Sequence, residues 1–268
     1  MNGFIKMMLL SSVLAIITSC GSKSNDKPSY GKFLLQFDHR VNGQALVKNQ
    51  MIYTNAFGNQ YEIAGLKYFI SDVKLHRHDG STITISSAKP VHYIDIDIPG
   101  TLRWQVPDEI LVAVYDSISF TFGMNEQLNK SNSFVNPPES NMAWPEILGG
   151  GYHFLMMDGW FNNLHDVRSP FSFHLGTGQI YEGSMEAMNI TGFVQNYFHV
   201  KLPASSFKII NNQTTGVKFI MNIDSWFTTP TNWDFNHWSS MIMQNQEAMG
   251  TIKVNGADAF SFETPMTL

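Results

Sequence analysis

The chain has 268 residues, 17 basic and 22 acidic side chains, a formal charge of −5 and a single cysteine. Mild acidity without a basic cluster excludes the electrostatic footprint of a nucleic-acid binder and gives no charge-driven attraction to anionic lipid. One cysteine excludes an internal disulfide, so a core rich in aromatics, which make up 13% of the residues, must supply stability.

In chain order, Lys6 precedes the apolar run MMLLSSVLAII, which ends in TSC at Cys20. A basic start, a short apolar stretch and small residues before the break mark a bacterial secretory signal. The run is short for a membrane span. A cysteine at the break is the residue that lipoprotein processing acylates. The expectation is a signal over residues 1–19, a lipidated Cys20 and a polar tether over residues 20–31. One domain then runs over residues 32–268, on the outer side of a bacterial envelope membrane, with the outer membrane as the anchor site. Loss of Lys6 with the signal moves the formal charge from −5 to −6.

Period-two patterning dominates from there. In KFLLQFDHRV, Phe33, Leu35, Phe37 and His39 share one face while Leu34, Gln36 and Asp38 share the other. YEIAGLKYFISDVKLHRHDGSTITISS reads as two antiparallel strands turning at Asp79-Gly80, with His76 and His78 beside a solvated tip. Further strands are expected at VHYIDID, ILVAVYDSISFTFG, GYHFLMMDGW, PFSFHLG, FVQNYFHVKL and VKFIMNIDSWF. The spacing predicts an all-β fold, an antiparallel β-sandwich with a few helical turns. Between the strands, residues 124–141 form a long polar loop of the kind often tied to function. Near the C-terminus, Trp238, Met241, Ile242, Asn245 and Met249 share a helical face. That predicts a short helix capped by Asp234 or Asn236 and ended by Gly250.

The common catalytic motifs are absent: no G-x-S-x-G, no H-E-x-x-H, no phosphate loop and no nucleophilic cysteine after Cys20. Acidic pairs such as Asp95/Asp97 and Asp108/Glu109 read as solvated faces. Nine histidines remain after the signal, and twelve of the fifteen methionines, once Met1, Met7 and Met8 leave with it. Imidazole and thioether donors suit Cu(I), although methionine is equally a core filler. His39 lies on an inward face. His174 shares a face with Ser172 opposite the phenylalanines of PFSFHLG, His153 follows three glycines, and His237 starts the predicted helix. Each alone is more often a hydrogen-bonded structural residue than a ligand.

The segments FLLQFDHRVNGQALV, GLKYFISDVKL, SISFTFGMNEQLN, NMAWPEILGGGYHF and FSFHLG, in this order, resemble the MbnP-like family, the methanobactin-associated and copper-binding proteins of methanotrophs. The resemblance implies a secreted β-rich protein that binds copper through histidines. It also implies a tryptophan oxidised to kynurenine beside the metal by a dihaem peroxidase-like partner. Trp144 falls on that family tryptophan, His174 on the histidine of Phe-His-Leu-Gly, and Met142 on a family position. This chain departs in having Pro145-Glu146 where a second tryptophan stands, and in lacking a Trp-x-His pair and the family's cysteines.

The resulting expectation is a lipid-anchored extracytoplasmic copper-binding protein for acquisition or buffering, without enzymatic turnover. His39, His153, His174 and His237 would supply imidazoles and Met142 a thioether, beside an oxidisable Trp144. The alternative is a surface module binding glycan or protein through loop tryptophans Trp104, Trp160, Trp226 and Trp233. A third reading makes the tryptophans and methionines core and the glycines mere turn formers.

Overall fold

The computed structural model describes residues 27–203, 205–238 and 240–267, the last four as backbone only. The expected signal segment and Cys20 lie outside the described residues. Eight principal strands build two sheets: β1 (Tyr30–Val41), β2 (Gln60–His76), β3 (Ser117–Phe122), β4 (Leu155–Asn162), β5 (Arg168–Leu175), β6 (Phe198–Leu202), β7 (Thr214–Asn222) and β8 (Phe260–Thr267). One sheet runs β8-β7-β1, extended by short strands on β1; the other runs β5-β4-β2-β3-β6. All pairs are antiparallel except β1 with β7. This is the expected sandwich, and β1 begins at Tyr30, two residues ahead of the expected start of the domain.

Alternation explains the filling of the space between the sheets. Phe33, Leu35, Phe37 and His39 point in from β1, as their spacing predicts, against Phe219 of β7 and Tyr68 of β2. The stack Phe120–Phe219, at 5.1 Å between ring centroids, ties the two sheets directly. Aromatic pairs of this kind add to the area term that drives burial.

The strand β2 does not keep one alternation. Register shifts at two places, where Ala64 stands unpaired between Gly65↔Asp158 and Ile63↔Gly159, and where Phe120 faces both Asp72 and Val73. Each is a β-bulge, which inserts a residue and re-aims those that follow. Tyr61 and Ile63 therefore point inward, then Leu66, Tyr68 and Ile70, then Val73 and Leu75. Asp72 takes φ +51°, and its carboxylate accepts a bond from Asn125 Nδ2 at 3.0 Å.

Residues 124–141 do not hang free as a polar loop. They lie across the outer face of β2, where Phe134 stacks on Phe69 at 5.5 Å and Tyr152 packs edge-on to both. The Tyr152 hydroxyl accepts the Phe134 N–H at 2.7 Å. This second small core lies over Phe69 of β2, and the outer face of β4 and β5 beside it carries Met156, Asp158 and His174.

The C-terminal helix starts later than its periodicity predicts and runs past Gly250. The short helix α1 (Ser225–Thr228) absorbs the end of VKFIMNIDSWF, and α2 spans Gln246–Gly256. Asn245, not Asp234 or Asn236, is the cap; its Oδ1 accepts the Ala248 N–H at 3.1 Å. Residues 234–238 instead form a turn, with Asp234 O accepting from both His237 and Trp238, and Ser172 bridges to Met241. The period shared by Trp238 and Met241 thus spans a turn and an isolated bridge, and only mimics a helix.

Candidate metal centre

The corner that holds His174 is built from the segment 142–153 and the hairpin of β4 and β5. The glycines Gly149, Gly150 and Gly151 take φ of +110°, +63° and +80°, a left-handed run that side chains disfavour. They turn the chain so that residues 142–144 and 151–153 pair, with Trp144 N–H donating to Gly151 O at 2.9 Å and His153 N–H to Met142 O at 2.7 Å. Side chains from the preceding loop fix the turn: Ser131 Oγ accepts the Gly151 N–H and Asn129 Oδ1 the Tyr152 N–H, each at 2.8 Å. Gly176 matters differently. A Cβ there would stand 2.5 Å from the Trp144 indole, so only glycine lets this ring lie flat on the chain after β5.

Trp144 is buried, its Nε1–H donating to Leu148 O at 3.1 Å, and its ring meets His153 edge-on at 4.7 Å. His153 in turn meets His174 edge-on at 5.1 Å. His174 sits on the outer face of β5, directly across from Met156 of β4 and beside Asp158. Its Nε2 is 3.0 Å from Asp158 Oδ1, which also accepts the Ser172 hydroxyl at 2.7 Å. Burial acts to raise the Asp158 pKa, but the bonds from His174 and Ser172 outweigh it, and the carboxyl titrates below its usual range.

These bonds define which ring nitrogens are free. A carbonyl oxygen only accepts, so His153 Nδ1, 2.9 Å from Met142 O, carries the proton and Nε2 keeps its lone pair. Burial lowers the His153 pKa to about 4, with the charge of His174 acting in the same direction, so the ring is neutral at pH 7. A carboxylate oxygen likewise only accepts, so His174 Nε2 carries the proton of its bond to Asp158, and Nδ1 is the nitrogen left over. An imidazole whose other nitrogen is bonded to a carbonyl or carboxylate is the usual form of a metal-binding histidine.

Of the five residues expected as metal ligands, then, His153 and His174 come together, with Trp144 against the first. Met142 is buried alongside, and its backbone carbonyl, rather than its sulfur, orients His153. His39 lies elsewhere. It is buried between the sheets, its Nε2 3.1 Å from the Tyr68 hydroxyl, and Tyr68 shares the inner face with Leu155 while His174 is on the outer one. His237 is exposed at the 234–238 turn, edge-on to Trp238. Met156 and Asp158 were not singled out from sequence, although the β4–β5 hairpin register places both on the face of His174. No group of three or more His, Cys, Asp or Glu side chains among the described residues is arranged to hold a metal ion. The residues that stand together are two histidines and, in register with His174, Met156; imidazole and thioether donors would suit a soft ion such as Cu(I).

The tryptophans expected as exposed platforms divide. Trp226 and Trp233 are fully buried, inside the core rather than on it. Trp104 is half-buried and stacked on His92 at 4.7 Å, while Trp160, also half-buried, lies under the Arg168 guanidinium at 3.9 Å. No described helix is long and apolar enough to cross a membrane.

Among solved structures, the chain is similar to MbnP from Methylosinus trichosporium, at 15% identity over 78% of this chain and 79% of that one, with a TM-score of 0.48. No curated protein matches. The MbnP family model matches residues 30–245, from the first residue of β1 to the cap of α2. The chain belongs to the MbnP family.

Proposed function

We propose that this protein is an extracytoplasmic copper-binding protein, tethered through a lipid on Cys20, that acquires or buffers Cu(I) without turnover of its own. The observation that carries the reading is the His153–His174 pair, two imidazoles with ring centroids 5.1 Å apart, each with one nitrogen committed to an orienting acceptor. Met156 supplies a thioether across from His174, and Trp144 closes the inner side and keeps water from His153. Oxidation of Trp144 by a dihaem peroxidase-like partner belongs to the same reading and would alter the wall of the site, not its imidazoles.

The test is a Cu(I) competition titration of the purified chain against a chromophoric chelator. One-to-one binding is expected, with at least a hundredfold loss in the double variant His153→Ala/His174→Ala. The His39→Ala variant should bind as the parent does. An affinity unchanged in a folded double variant removes the assignment.

A further inference from the structure

At the end of the sandwich formed by the β4–β5 turn, away from the residues of the histidine pair, three segments are bonded into one rigid rim. Asn55 Oδ1 accepts the N–H groups of Phe57 and Asn59, and its Nδ2 donates to Trp233 O at 2.8 Å. Asn59 Oδ1 accepts the Phe235 N–H at 3.0 Å, and Asn236 Oδ1 the Leu164 N–H at 3.1 Å. The turn at 55–60, the hairpin tip at 162–166 and the turn at 233–238 are thus held to one another by side chain–backbone bonds.

Two clefts open on this rim. The larger, about 410 Å³, is lined by Thr54, Gln60, Asn162, Asn163, Asp166 and Asn236, among others. The smaller, about 290 Å³, is lined by Phe57, Asp234, His237 and Trp238 with Thr231 and Asn232. Consecutive residues divide between them, Phe57 with Gly58 and His237 with Asn236, so the clefts are neighbours. The larger falls in the size range of small-molecule sites.

The chemistry of the lining is distinctive. Asn162 Nδ2 donates to Gln60 Oε1 at 2.9 Å. That bond spends one donor and one acceptor, and leaves Gln60 Nε2 and Asn162 Oδ1 with no further partner among the described residues. The paired amides therefore present a donor beside an acceptor, which is what two adjacent hydroxyls, each both donor and acceptor, would satisfy. Asp166 adds a carboxylate acceptor. In the neighbouring cleft Trp238 is stacked on the buried Trp233 at 5.1 Å and 15°, so its indole is held in place as a flat apolar surface. No lysine or arginine lines either cleft, so phosphate and carboxylate ligands find no counter-charge.

We infer that this rim is a second binding site, for a neutral saccharide: hydroxyls engage the Gln60–Asn162 amide pair and Asp166, and an apolar sugar face lies on Trp238. This differs from a platform made by Trp104, Trp160, Trp226 and Trp233, none of which lines either cleft. It is also independent of copper.

The experiment is binding of the full-length chain to an array of neutral oligosaccharides (glucans, mannans, galactans and xylans), followed by calorimetry with any glycan retained. Retention of at least one is expected, with a tenfold or greater weakening in Gln60→Ala/Asn162→Ala, whose substitutions are at the surface and spare the core. Trp238→Ala, checked for an unchanged fold by its thermal midpoint, should weaken the same glycan, and His153→Ala should not. Retention of no neutral glycan overturns the inference, and so does binding that the Gln60/Asn162 variant leaves unchanged.

Discussion

His39 makes a quantitative statement about acid stability. It is 6% exposed, and burial lowers its pKa to about 4 from 6.5, Asp38 acting weakly in the opposite sense. The folded state therefore binds a proton less readily than the unfolded chain. The stabilisation from keeping this ring neutral is complete above pH 6.5 and is lost as the pH falls toward about 4. Between pH 7.5 and pH 5 the two binding curves differ by a factor of roughly thirty, or about 2 kcal/mol of unfolding free energy. The perturbation is His39→Leu, which removes the titrating ring from its place against Tyr68. The variant also loses the acceptor or donor for the Tyr68 hydroxyl, which costs about 1–3 kcal/mol at every pH. That cost cancels when stability at the two pH values is subtracted. Urea unfolding of both proteins in chelator-treated buffer at pH 7.5 and pH 5 gives the difference. The parent should lose about 2 kcal/mol more than the variant on acidification. Equal losses in the two proteins would show that His39 titrates normally, and the burial argument would fail.

Two further expectations rest on single atoms. Gly176→Ala places a methyl 2.5 Å from the Trp144 ring, so the indole must shift; a destabilisation of about 1–3 kcal/mol is expected, with a changed near-ultraviolet tryptophan signal, and a variant within experimental error of the parent in both would refute the packing. Cys20→Ser should abolish incorporation of labelled palmitate and release the chain from the membrane fraction; labelling that persists in the variant would locate the anchor elsewhere.

Much of the fold was legible because a strand buried on one face writes its face into every second residue. Phe33 to His39 and Phe171 to Leu175 follow that rule, and their orientations are as their spacing predicts. The C-terminal helix shows the limit of periodicity. Trp238 and Met241 are apolar for other reasons, Trp238 to stack on Trp233 and Met241 to run beside Ser172, and together they imitate a helical stripe ahead of the true cap at Asn245. The candidate site was half legible. His174 announced itself by facing away from the phenylalanines, and Trp144 and Met142 by resemblance. What pairs His174 with His153 is the left-handed turn through three glycines, whose direction in space no local pattern records. Met156 was within reach, because counting outward from the β4–β5 turn sets it opposite His174. His39 misled for the reason that it was noticed: an inward histidine in a sandwich meets the core, and only an outward one or one at a strand end meets the rim.

Each of the two bulges of β2 works as a silent insertion. Reading along the strand, odd-numbered residues face the core up to Ile63, even-numbered ones from Leu66 to Ile70, and odd-numbered ones again from Val73. Deleting Ala64 would make Ile63 and Gly65 ordinary neighbours and leave Leu66, Tyr68 and Ile70 facing the core, and deleting Asp72 would likewise leave Val73 and Leu75 facing it. Loss of both would leave the two ends in phase with each other and shorten the strand by the two residues. A one-residue gap at either bulge thus keeps the surface of β2 as it is, and the two bulges are the places where this strand can absorb single-residue changes of length independently of one another.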